Sequence, residues 1–168
     1  PAELPPVLLG DITDHEDAIA IAERAASHLG AIDIVIDFAG LHHPPFDLLA
    51  DDPTELAERF RKVTDVNLTG AFFVTMAAAR VMAPQRHGHI IHLCSNGSRL
   101  SLYGSYAYNA SKHGLEGLVK TAAAQLAPFG VRVNGIAPGT VETDLNRDLL
   151  RDEEGNPRPR ARSILAHT

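Results

Sequence analysis

Three short runs rich in β-branched residues, IDIVIDFAG (32–40), GHIIHLCS (88–95) and GVRVNGIAPG (130–139), are separated by stretches whose apolar residues recur at helical spacing. Strands alternating with helices in this way build βα units around a parallel sheet. A shorter run, VLL (7–9), ends at Gly10-Asp11 and reads as a further strand. A helix is predicted from a cap at Thr13 or Asp14 to about His28, with Ala18, Ile21, Ala22 and Ala25 on one face. The pattern is helical again from Pro53, a residue suited to a first turn, to about Met82, with a break expected near Val63–Asp65. Ser105 to about Leu126 is the next helix, its buried stripe formed by Leu115, Leu118, Val119, Ala122 and Leu126. LHHPPFDLLADDP reads as a loop with a short helical turn, and the charged stretch 147–162 as a mobile loop with one helical turn. Nothing resembles a linker, so residues 1–168 read as one α/β unit.

Composition narrows the function classes. The 168 residues suffice for one core. A net charge of −6, with the arginines scattered, leaves no footprint for nucleic acid or anionic lipid. The most apolar stretch, AFFVTMAAARVMA, is interrupted by Arg80 and is shorter than the roughly 20 residues that span a bilayer. No basic n-region with a following h-region opens the chain, and a single cysteine, Cys94, suits a reducing compartment. The expectation is a soluble, cytoplasmic protein without membrane or nucleic-acid partners.

All three tyrosines, Tyr103, Tyr106 and Tyr108, lie in LYGSYAYNASKHG. Tyr108 alone has a lysine, Lys112, four residues on, hence on the same helical face. A phenol titrates near ~10 and is a poor base at neutral pH unless a cation stabilises its phenolate. Ser95 closes a predicted strand at its C-terminal end, the edge where ligands bind in open parallel sheets. Asn67, in DVNLTG, interrupts a helical pattern that disfavours asparagine. Taken singly, each has an ordinary structural explanation.

Together they resemble the short-chain dehydrogenases/reductases. SNGSRLSLYGSYAYNASK resembles that family's serine followed by Tyr-x-x-x-Lys, and DVNLTG its asparagine segment. VRVNGIAPGTVETDL is similar to its strand and Pro-Gly turn, and GDITD to its strand-end aspartate; the likeness runs from about residue 7 to 145. It implies a doubly wound, Rossmann-like αβα fold, and a tetrad mapped onto Asn67, Ser95, Tyr108 and Lys112. Tyr108 would act as general acid/base and Ser95 would orient the substrate carbonyl or alcohol. Lys112 would favour the phenolate and hold the ribose hydroxyls of NAD or NADP, while Asn67 would position a water. Asp11 and Ile12 would border adenine, Asp37 would belong to the same cofactor site, and Ala39 with Gly40 would admit the cofactor's close approach. Pro138, Gly139, Val141 and Thr143 would secure the carboxamide end. The charged stretch and ILAHT weakly resemble members acting on polyols, sugars and sugar acids; acyl and steroid-like carbonyls are the other substrate classes. The two long helices imply a homodimer or homotetramer, with Phe72, Phe73 or Leu118 at the contact.

Two departures stand out. The family's Asn-Asn-Ala-Gly reads Asp37-Phe38-Ala39-Gly40 here, and an ionised aspartate cannot donate the hydrogen bonds of an amide, so local rewiring with retained activity is expected. The family's first two strands, its glycine-rich phosphate turn and its last strand have no counterpart. The chain therefore reads as a portion of one of about 250 residues, and the isolated piece is expected to show no turnover. The rival reading is a non-catalytic oligomerisation or binding module.

Other groupings carry less. His87, His89 and His92 are close in sequence, but His89 and His92 fall on opposite faces of a strand, so surface histidines are expected and no metal site. His42-His43 could line a substrate entrance or simply belong to a loop. Cys94 is expected to behave as a small buried hydrophobe.

Overall fold

A computed structural model describes residues 7–99, 105–144, 146–159 and 161–162; Tyr103 and ILAHT lie outside them. The elements run α1 (His15–Leu29), β1 (Ile34–Asp37), α2 (Pro53–Thr64), α3 (Ala71–Gln85), β2 (Gly88–Leu93), α4 (Tyr106–Leu126), β3 (Val131–Ile136) and α5 (Arg147–Leu150). The strands pair in parallel in the order β1-β2-β3, with helices as crossovers. This is the expected Rossmann-like arrangement.

Local chemistry sets the element ends. Asp14 caps α1 by accepting from Glu16 N at 2.8 Å, and Asp52 caps α2 by accepting from Thr54 N and Glu55 N. Gln85 at the end of α3 exchanges two hydrogen bonds with the Ile32 backbone, 3.1 and 3.0 Å, which anchors the entry to β1. Gly130 enters β3 with φ 73°, and a Cβ there would lie 2.3 Å from Arg86 O, so neither the conformation nor the space admits a side chain. The break expected in the second helical pattern is a π-helical turn, Asp65–Gly70, joining α2 to α3.

Alternate residues along the strands meet opposite surroundings. Asp37, Ile90, His92, Val131 and Val133 are buried under the helices, whereas Ile34, Ile36 and Ile136 are 59 %, 49 % and 51 % exposed. Helices α3 and α4 pack on this one side of the sheet, with α1 packed on α3 and α2 on α4. The described residues thus supply the sheet and one helical layer of the expected three-layer fold. The core between them gathers Ile32, Ala78, Met82, Ile90, Leu115, Val119, Ala122, Leu126, Val131 and Val133.

Three expectations need correction. Residues 7–9 form no strand, and Val7 and Leu9 are each 85 % exposed. A strand needs a neighbour for its N–H and C=O groups, and none lies beside this segment among the described residues. The stretch 147–162, expected as a mobile loop with one helical turn, carries that turn at Arg147–Leu150, but beyond it folds back: an isolated antiparallel bridge pairs Arg151 with Pro157, and Arg158 N donates to Leu150 O at 2.8 Å. Third, α2, the π turn and α3 form a 33-residue helical run, Pro53–Gln85, that is long and apolar enough by composition to cross a membrane. In this fold its apolar residues pack against α1, α4 and the sheet.

Candidate active site

The C-terminal ends of β1, β2 and β3, the N-terminal half of α4 and the π turn converge on one cluster of buried polar groups. Lys112 lies one turn beyond Tyr108 on α4 and is 4 % exposed. Its Nζ donates to Leu93 O at 2.7 Å and sits 5.7 Å from the centre of the Tyr108 ring. Burial lowers the Lys112 pKa, and the negative charge of Asp37 and, next, the Cys94 thiol oppose that shift.

Ser95, 7 % exposed, follows β2 and caps a 3₁₀ turn, Asn96–Ser98, by accepting from Gly97 N at 3.0 Å. Asn96 N donates to Pro138 O at 3.1 Å, which ties this turn to the Pro138-Gly139 segment after β3. Farther along, Asn146 accepts from Thr143 N and donates to Val141 O, both at 2.9 Å, so the exposed Val141 and Thr143 are held by one side chain. Glu142 and Arg151 close that loop with an ion pair.

Asn67 stands in the π turn, 1 % exposed. Its oxygen accepts from Leu41 N at 2.6 Å, and its amide donates to Leu41 O at 2.9 Å and Ser111 Oγ at 3.1 Å. The side chain grips the segment that follows β1. Within that segment, a Cβ on Gly40 would lie 3.6 Å from Asn67 Oδ1 and 3.9 Å from Lys112 Nζ, so Gly40 forms a wall of the lysine's surroundings. Asp11 turns its carboxylate onto Thr13 N and Oγ1, both at 2.8 Å, and these bonds hold its pKa below the usual carboxylate range. Ile12 packs on Gly70 of the π turn, where a Cβ would come within 2.8 Å of its Cδ1.

Asp37 bonds through both carboxylate oxygens. Its Oδ1 accepts from Ala39 N at 3.0 Å, and its Oδ2 lies 3.0 Å from His92 Nδ1. His92 is fully buried, which overturns the expectation of a surface histidine. His89 does lie on the opposite side, its Nε2 2.8 Å from Asn134 Nδ2. Cys94 is a core residue whose pKa burial raises, in keeping with a small hydrophobe.

Sequence reasoning missed Ser111. Wholly buried between Asn67 and the Tyr108 carbonyl, to which it donates at 2.8 Å, it couples two tetrad positions. Its one signal was a small polar residue beside Lys112 on a face otherwise apolar. Of the His42-His43 pair, His42 stacks at a tilt on Tyr108, 4.9 Å between ring centres, with Nε2 3.4 Å from Ser105 Oγ. Burial, then the charge of His43, lowers the His42 pKa. Among the described residues no group of His, Cys, Asp and Glu is arranged to hold a metal.

Comparison with known proteins points to one family. The family model for short chain dehydrogenase matches residues 6–154. Among relatives, momilactone A synthase of Oryza sativa subsp. japonica is 39% identical over 140 residues, covering 83% of this chain and 50% of that protein. The L-rhamnose 1-dehydrogenase (NAD(P)(+)) of Sphingomonas sp. is 35% identical over 158 residues, covering 93% and 60%. The crystal structure of a gluconate 5-dehydrogenase from Burkholderia cenocepacia, in complex with NADP and tartrate, superposes with a TM-score of 0.77 at 35% identity, over 87% of this chain and 55% of that one. The chain spans about half the length of the curated relatives it matches.

Proposed function

The chain belongs to the short-chain dehydrogenase family, and from that premise we propose that the protein is an NAD(P)-dependent oxidoreductase interconverting a secondary alcohol and a ketone. The observation that carries this reading is the buried Lys112 beside Tyr108, with Gly40 at its flank. An ammonium has three donors, and Leu93 O takes one, so the remaining donors suit the ribose hydroxyls of a nicotinamide cofactor. The space that a Cβ on Gly40 would narrow fits the same group. When bound, the nicotinamide supplies or accepts the hydride exchanged with the substrate carbon.

The chain's own residues do the rest. Tyr108 exchanges a proton with the substrate oxygen, and the cation of Lys112 favours its phenolate. Ser95 holds that oxygen. Asn67 acts by fixing Leu41, and hence the Ala39–Gly40 wall. Asp11 and Ile12 border the adenine, and Pro138, Gly139, Val141 and Thr143 secure the carboxamide end. A sugar, polyol or sugar acid is the preferred substrate class, supported by the rhamnose and gluconate enzymes among the similar proteins. The terpenoid alcohol of a borneol dehydrogenase, 38% identical, represents the second class to test.

The reading extends to assembly and location. An apolar groove of about 680 Å³ on the outer side of α3 and α4, lined by Phe72, Met76, Leu118 and Phe129 among others, is the surface proposed to pair with a second copy in a dimer or tetramer. Phe73 contributes less, since its ring also meets His15 of α1. A cytoplasmic location is proposed from the single, buried cysteine.

The test is a titration of the purified protein with NADH and with NADPH, followed by nicotinamide fluorescence, and then oxidation assays on polyols, aldonates and monoterpenols. Saturable binding of one cofactor and turnover of one alcohol class by the whole protein is the expected result, the 168 residues alone being expected to show no turnover. Binding of neither would favour the non-catalytic module.

A further inference from the structure

Three of the buried polar groups that the mechanism leaves unused form one chain of contacts. Asp37 and His92 are register partners on β1 and β2, and Thr75 lies above them on α3. The carboxylate of Asp37 is 3.0 Å from His92 Nδ1, and His92 Nε2 is 2.8 Å from Thr75 Oγ1. All three are nearly or wholly inaccessible, at 8 %, 0 % and 6 % exposure.

The order Asp-His-Thr imitates a nucleophilic triad, but the hydrogen bonds exclude that use. The single hydroxyl proton of Thr75 goes to Ala71 O at 2.7 Å, so toward the imidazole the oxygen can only accept. Nε2 is therefore the donor. A proton then lies between Nδ1 and Asp37 Oδ2, so the imidazole is a donor at both nitrogens, to the carboxylate and to Thr75. On β3 the register partner of His92 is Gly135, which brings no charge. The groups acting on Asp37 from elsewhere are the Ala39 N–H and, through space, Lys112.

We propose that His92 is a positioning residue: fixed by Thr75, it compensates the buried Asp37 carboxylate, so that Asp37 can hold Ala39 and, with Asn67 at Leu41, set the wall that faces Lys112. Residues 39–41 are thus pinned at both ends, by Asp37 through Ala39 N and by Asn67 through both backbone groups of Leu41. Without the imidazole the carboxylate would be stranded in the core, where an unpaired charge is costly. Relief would come from moving the segment or drawing Lys112 toward Asp37, and either distorts the site. An aspartate at this position is therefore usable because a histidine stands beside it.

The inference rests on the proposed nicotinamide site, so its test reads binding and stability together. His92→Leu is expected to weaken binding of the preferred nicotinamide cofactor at least tenfold, by fluorescence titration, and to lower Tm. Adding Asp37→Asn to that variant removes the stranded charge and is expected to bring both readouts within threefold, or about 2 °C, of Asp37→Asn alone. A role in packing alone would leave the double variant no better than His92→Leu, which would overturn the proposal, as would a His92→Leu protein that binds like the parent. If His92→Leu does not fold, the double variant decides: folded supports compensation, unfolded refutes it. A parent that binds neither cofactor refutes the nicotinamide reading instead, and recovery of Tm in the double variant then judges the compensation on its own.

Discussion

The two faces of the sheet are built from the same three strands and could hardly differ more. On the covered face, Ile90, Val131 and Val133 pack under α3 and α4 while Asp37 and His92 carry a polar network into the same layer. On the other, Ile34, Ile36 and Ile136 stand half in solvent beside Arg132 and Asn134. Parallel sheets ordinarily have both faces covered. Among the described residues, the tetrad is positioned from the covered side.

Substitutions should therefore divide by face. The largest effect is expected at Tyr108→Phe, which keeps the ring against His42 and Lys112 but removes the hydroxyl. Turnover in a steady-state assay should fall by about 10²–10⁴-fold, the scale of a lost general acid/base, with cofactor still bound. Ile90→Ala on the covered face should cost about 2–5 kcal/mol in urea unfolding, as for other wholly buried isoleucines. If it costs little, the covered face is not the stabilising one. Ser111→Ala, which frees the Asn67 amide from one partner, should cost about 1 kcal/mol and loosen cofactor binding severalfold.

Lys112 sharpens the comparison through pH. Its pKa in the fold is below its unfolded value, so between the two the unfolded chain binds more protons, and stability must rise as pH climbs through the folded pKa toward about 10.5. Unfolding measured across that alkaline window should show the rise in the parent and a flatter slope in Lys112→Met. The smallest effect is expected on the open face: Ile36→Thr should stay within about 0.5 kcal/mol of the parent. A larger loss would mean that this face is covered in solution.

Much of this was legible in the sequence because it depends on local spacing. The alternation of strand and helix, the helix caps and the Tyr108–Lys112 turn all follow from residues a few positions apart, and the break expected near Val63–Asp65 adjoins the π turn. What escaped depends on distant partners. VLL has the composition of a strand, but forming one takes a neighbour, and none pairs with it among the described residues. Period-two reasoning separated His89 from His92, yet could not tell which of the two lay under the helices. Only the register of β1 against β2 shows that His92 meets Asp37, 55 residues away. The Asn67–Leu41 clasp, 26 residues apart, was hidden for the same reason.

The π turn has one more consequence, a matter of phase. Each residue of an α-helix advances the chain by about 100° around the axis, so the wide turn at Asp65–Gly70 sets the angular offset between α2 and everything in α3. Deleting a single residue there could leave a regular, even a more uniform, helix while turning Thr75 away from His92 and Asn67 away from Leu41. The helix would gain regularity, and the strand ends would lose their alignment with it. A length change of one in this segment is therefore a harsher perturbation than most substitutions within it.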